Sequence, residues 1–121
     1  MIEIIETFPK NVVAAVASGR VTGQDYETSL VPRVTAAMNE YRKVRCYYEL
    51  GADYVSMELG ALWQDFKLGI EYLTRWERVA AVTDVPWTAH AVHAFRFLLP
   101  GDVRVFATSE KEAARAWVVA P

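Results

Sequence analysis

Four carboxylates stand close together along the chain: Glu49, Asp53, Glu58 and Asp65. Paired carboxylates act as acid and base only when their surroundings push their proton affinities apart. Nothing in the sequence supplies these four with a nucleophile, a metal or a fixed partner, so they read as an acidic, solvated region. His90 and His93 lie three residues apart on a predicted helix, which places two imidazoles on one face. Zinc needs a third or fourth ligand, and Arg96 follows His93 too closely to favour a cation. The pair reads as a polar helix face, and no metal is expected. Cys46 is the single cysteine, so no intrachain disulfide can form. It falls inside a predicted central strand, where a thiol behaves as a small apolar residue. Gly19 and Gly23 do not fit G-x-G-x-x-G, and no G-K-[ST] occurs, so nucleotide chemistry has no support. The residue types point away from an enzyme and imply no cofactor.

The elements that must position these side chains alternate along the sequence. A strand over 2–8, a turn at Pro9-Lys10-Asn11 and a strand over 12–18 make a hairpin. Thr22 opens the first helix, and Asp25 completes a variant of the capping box. Tyr26, Leu30, Val34, Ala37 and Tyr41 follow at helical spacing and should face the sheet. Pro32 has no backbone donor and predicts a break near residues 28–30. A third strand covers 44–50 and ends at Gly51, leaving 51–57 as a loop. The helix over 58–74 carries Leu59, Leu62, Trp63, Phe66, Ile70 and Leu73 on one predicted core face, with Ala61, Leu68 and Tyr72 opposite. A fourth strand covers 78–83. Asp84 and Pro86 then start a helix that Pro100-Gly101 stops. A fifth strand covers 103–107, and Ser109 with Glu112 caps a last helix. The order ββαβαβαβα describes one α/β domain over 1–121, with a mostly parallel five-stranded sheet and one antiparallel strand from the hairpin.

Composition removes several function classes. Hydrophobic residues make up 53% and charged residues 23%, the balance of a folded chain. Lys and Arg number 13 against 15 Asp and Glu, a net charge of −2, which lacks the basic footprint of a nucleic-acid binder. No apolar run is long enough to span a bilayer, and Met1-Ile2-Glu3-Ile4-Ile5-Glu6 is not a signal peptide, so a cytoplasmic location is expected.

Four short stretches, in order, carry a family likeness. They are Gly19-Arg20-Val21-Thr22 with Asp25-Tyr26-Glu27; Trp63-Gln64-Asp65-Phe66-Lys67-Leu68-Gly69; Arg78-Val79-Ala80-Ala81-Val82-Thr83-Asp84 with Trp87; and Glu112-Ala113 with Ala116-Trp117. With these the chain resembles the SpoIIAA-like family, relatives of STAS domains whose architecture is also similar to CRAL-TRIO lipid carriers. The resemblance implies a mixed sheet in roughly sequential strand order with helices mainly on one side. It implies a small regulatory, ligand-carrying or membrane-associating module with no established enzymatic activity. STAS-type antagonists carry a phosphoacceptor Ser or Thr after the third strand, usually preceded by Asp. Here Ser56 stands three residues after Asp53, with Tyr54 and Val55 between. Ser is also a preferred N-cap, and capping is the simpler role for Ser56 at the start of the next helix.

Four Trp, five Phe and six Tyr exceed what the predicted core stripes use. The segment around Trp87, Ala91, Val92, Ala94, Phe95, Leu98 and Leu99 is apolar around more than half a helix, and such a surface must be covered by something. The two middle helices could cover each other. The leading expectation is instead a non-enzymatic module that binds an apolar or amphipathic, lipid-like small molecule between these two helices and the sheet, with Trp63, Phe66, Trp87 and Phe95 as ligand-binding residues. The alternative is a protein-interaction module that buries the same surface in a homodimer or against a protein partner. Peripheral membrane contact would have to be hydrophobic or depend on opening, because Asp65 and Glu71 against Lys67 do not make the basic face that anionic lipids favour.

Overall fold

Two long strands dominate the fold, Val12–Val21 (β2), rich in valine, and Val44–Met57 (β3), which adds three tyrosines. The computed structural model describes residues 1–58, 60, 64, 67, 68, 70–72, 74–85 and 101–121. Ile2–Ile4 (β1), Trp76–Val82 (β4) and Asp102–Phe106 (β5) complete a sheet ordered β1-β2-β3-β4-β5. β1 pairs antiparallel with β2, and all later pairs are parallel, as the alternating pattern requires.

The first helical segment shows how one proline is accommodated. Gly23–Asp25 (α1) is capped reciprocally: the Asp25 N–H donates to Thr22 Oγ1 at 3.1 Å, and the Thr22 N–H donates to Asp25 Oδ2 at 2.9 Å. Tyr26–Leu30 then forms a π-helical turn, and Val31–Glu40 (α2) resumes with Pro32 in its first turn. The N–H of Val31 reaches back five residues to the Tyr26 carbonyl. This widened turn is the expected break, and it places a residue with no donor where an α-helix needs none. Tyr26, Leu30, Val34 and Ala37 are buried against the sheet, joined by Met38.

The two faces of the sheet have separate cores. On one, α1, the π turn and α2 cover Val13, Ala15 and Ala17 of β2 and Val44 and Leu50 of β3, with Leu68 from the next helical stretch. On the other, Lys111–Val119 (α3) buries Ala114 and Val118 against Val12, Ala14, Tyr47, Ala80 and Val82. Most of the described helical residues therefore lie on the first face.

Three sequence expectations are corrected. Residues 51–57 are strand, not loop. β2 also runs on past residue 18, through irregular register around Gly19, whose φ of +57° suits a residue without a side chain. Gly19, Arg20 and Val21 pair with Tyr54, Ser56 and Met57, so β3 continues past Gly51 with positions 51–53 skipped in the register. Ser56 consequently sits exposed in β3 rather than capping a helix.

The second correction concerns which described residues of the following helix face the core. Gly60, Gln64, Lys67, Leu68, Ile70 and Glu71 are helical. Leu68, expected outside, is buried, and Tyr72 packs beside it; Ile70, expected inside, is 49% exposed. Positions 60, 64, 68 and 72 line one side of this stretch, with Leu68 buried, Gln64 and Tyr72 half-buried and Gly60 exposed. Gly60 lies so close to Gly23 that a Cβ on Gly23 would stand 3.2 Å from the Gly60 carbonyl carbon, and Gln64 Nε2 donates to Glu27 Oε1 at 3.2 Å. A stripe that begins with glycine is invisible to hydrophobic periodicity yet permits the closest backbone approach.

The third correction concerns the last helix. Its reciprocal cap is two residues earlier than expected: the Ala107 N–H donates to Glu110 Oε1 at 2.9 Å, and the Glu110 N–H donates to the Ala107 carbonyl at 2.8 Å. The turn Thr108–Glu110 is 3₁₀, and α3 follows it.

Candidate functional site

On the α2 face the core is not wholly apolar. Tyr26 is fully buried, and its hydroxyl lies 3.0 Å from that of Tyr48, which points from β3 toward the helix. Tyr48 shares this side of β3 with Val44, Cys46 and Leu50. Cys46, Tyr48, Val79 and Val85 are half-buried and pack against the same core. Further along β3, the Tyr54 hydroxyl is buried with no hydrogen-bond partner among the described residues. Burial raises its pKa above the ordinary tyrosine value, so it stays a neutral hydroxyl. The position opposite Tyr54 on β2 is Gly19, which has no side chain to offer. The result is an aromatic and apolar surface with hydroxyl groups set into it, the chemistry of a site for a largely apolar molecule.

Of the acidic residues, the described Glu49, Asp53 and Glu58 have separate surroundings. Glu49 points to the other face of the sheet, where it accepts the Tyr47 hydroxyl at 2.7 Å. That tyrosine's pKa is raised, first by burial and then by this bond. Glu58 pairs with Arg20 at 2.9 Å at the end of β3, and Asp53 is exposed. No group of three or more His, Cys, Asp or Glu among the described residues could hold a metal ion. Cys46 lies in the central strand, half-buried among the side chains of the α2 face.

Trp63, Phe66, Trp87 and Phe95 lie outside the described residues, as do Asp65, His90 and His93. The three tyrosine hydroxyls were not singled out from sequence. A signal did exist: Tyr26 falls on the sheet-facing helical stripe, and Tyr48 and Tyr54 lie on a strand that would pass beneath it.

A sequentially ordered, mostly parallel five-stranded sheet with helices on both faces defines an α/β module of known type. The chain belongs to the SpoIIAA-like family, whose model matches residues 12–119. No curated protein matches it. Among solved structures it is similar to an uncharacterized protein of the DUF3478 family with a SpoIIAA-like fold from Shewanella loihica. The two are 22% identical, the match covers 97% of this chain and 93% of the other, and the TM-score is 0.77. That likeness bears on the fold. Among the described residues, no helix is long and apolar enough to cross a membrane.

Proposed function

We propose that this chain is a small non-enzymatic SpoIIAA-like module that binds an apolar or amphipathic, lipid-like molecule on the α2 face of the sheet. The observation that supports this reading is the half-buried group Cys46, Tyr48, Val79 and Val85, bordered by tyrosine hydroxyls. Apolar pockets with a few polar groups are the common form of small-molecule sites. In this reading Trp63 and Phe66 of the 58–74 segment, and Trp87 and Phe95 of the 84–99 segment, supply the remaining apolar contacts. Native mass spectrometry of the purified chain should show a co-purified or added long-chain ligand at one per chain, and titration should shift the tryptophan emission. Absence of any adduct, with unchanged emission up to the solubility limit of the ligand, would refute the reading.

A second reading has its own support. Ile70 and Val55 are 49% and 75% exposed, more than such side chains usually are. A homodimer that covers them would appear as a dimer mass in light scattering, and charged substitutions at both positions would return it to monomer.

A further inference from the structure

We infer that the Tyr54 hydroxyl selects the polar end of the ligand on this face, and that this end is an uncharged hydrogen-bond acceptor such as an alcohol, ketone or ester oxygen. The inference rests on the proposed ligand-binding reading and adds to it the chemical class of the head group and the residue that recognises it.

A buried hydroxyl with no partner needs an explanation, because removing it from water is unfavourable and nearly all such groups in folded chains are paired. Tyr54 is such a group, and it belongs to the same apolar cluster as Tyr26 and Tyr48. A ligand oxygen placed against it gains a hydrogen bond whose desolvation cost on the protein side is already met in the free chain. That makes the bond more discriminating than one to a solvated hydroxyl, since a ligand lacking the oxygen leaves the group unpaired.

The charge of the head group follows from what surrounds it. The charged groups described around Tyr54 are already engaged: Arg20, next to the β2 partner Gly19, pairs with Glu58 at 2.9 Å, and the Met1 amino group donates to the carbonyls of Ser18 and Arg20. Arg75 lies over the Tyr72 ring, but its guanidinium donates to the carbonyls of Met38, Tyr41 and Arg42 at the end of α2. A carboxylate brought into such a setting would be buried with no free counter-charge among the described residues, which is far more costly than burying an alcohol or ester.

The test compares three probes of equal chain length, dodecane, dodecanol and dodecanoate, on the full chain and on Tyr54→Phe. Intrinsic fluorescence gives the affinities, and native mass spectrometry gives the stoichiometry. The wild-type chain should bind dodecanol at least about tenfold more tightly than either of the others, about 1.4 kcal/mol at 25 °C. Tyr54→Phe should bring dodecanol down to the level of dodecane and leave dodecane unchanged. Equal binding of the three probes by the wild-type chain, a preference for dodecanoate, or a dodecanol preference that survives in Tyr54→Phe would each overturn the inference while leaving ligand binding intact. Failure of all three probes to bind would overturn both readings. Circular dichroism and the melting temperature of Tyr54→Phe establish that the variant is folded, as expected for the loss of one unpaired oxygen.

Discussion

Two tyrosines of the same strand meet opposite circumstances. On the face covered by α3, Tyr47 stacks near Phe8, with ring centroids 4.9 Å apart, and its hydroxyl donates to Glu49. On the face covered by α2, Tyr54 has its hydroxyl buried without a partner among the described residues. Both faces have arginines on the C-terminal carbonyls of their helices. The C-terminal end of α3 is held by two arginines that are neighbours across β3 and β4: Arg45 donates to the carbonyls of Val118 and Ala120, and Arg78 to those of Trp117 and Ala120. Cationic donors complement both the unpaired carbonyls and the negative end of the helix. Arg78 and Arg104 also lie over the Trp117 ring, at 5.7 and 4.8 Å from its centre. Across the sheet, Arg75 donates to the carbonyls of Met38, Tyr41 and Arg42 at the end of α2, and among the described residues Gly60 faces Gly23 and Gln64 donates to Glu27. The faces differ in that the α2 face holds the Tyr54 hydroxyl, buried without a partner among the described residues.

The largest effect should come from unsealing the α3 face. Arg78→Ala removes the guanidinium from two helix-terminal carbonyls and from the Trp117 ring, and should lower unfolding free energy by about 2–3 kcal/mol in urea titrations. A loss below about 0.5 kcal/mol would mean that packing of Ala114 and Val118 alone holds the helix.

The tyrosine pair sharpens the comparison with a difference of sign. Tyr47→Phe should cost about 1 kcal/mol, because a buried hydrogen bond to a carboxylate is lost. Tyr54→Phe should cost nothing, or should stabilise the free chain by up to about 1 kcal/mol, because only an unpaired hydroxyl is removed. Matching losses at the two positions would show that Tyr54 has a partner in solution.

A smaller effect concerns acid. Asp25 is held below the ordinary carboxyl value of 3.8, chiefly by accepting the Thr22 backbone N–H at the start of the α2-face helices. A carboxyl whose folded pKa is depressed contributes stability that is complete above its unfolded pKa and is lost as pH falls through the folded one. Unfolding midpoints measured from pH 6 down to pH 2.5 should therefore fall less steeply below about pH 4 in Asp25→Asn than in the wild type. Parallel curves would show that the cap contributes no acid sensitivity.

What the sequence made legible was local. The Thr22–Asp25 cap, the break before Pro32 and the alternation of strands and helices each depend on residues within one or two turns of each other. The hidden parts depend on contacts between distant residues. Gly51 looked like a strand end, since nothing nearby in the sequence shows that β2 will continue past Gly19 to pair with 54–57. The sequence over 58–74 is apolar on more than one side, and the approach of Gly60 to Gly23, 37 positions away, is a contact that no periodicity reports. Arg45 and Arg78 read as ordinary strand charges until α3 places its last carbonyls on them. For the candidate site, the sequence pointed to the 58–74 and 84–99 segments and their aromatic content, and the tyrosine hydroxyls became visible only when helix and strand were brought face to face.

Amide hydrogen exchange with and without dodecanol tests most directly whether the two faces differ in this way. The amides of Gln64, Lys67, Leu68, Ile70 and Glu71 report on the α2 face, and those of Ala114 to Val118 on the α3 face. The account predicts that dodecanol slows exchange in the first group and leaves the second unchanged. Equal slowing in both groups, or slowing confined to α3, would contradict it.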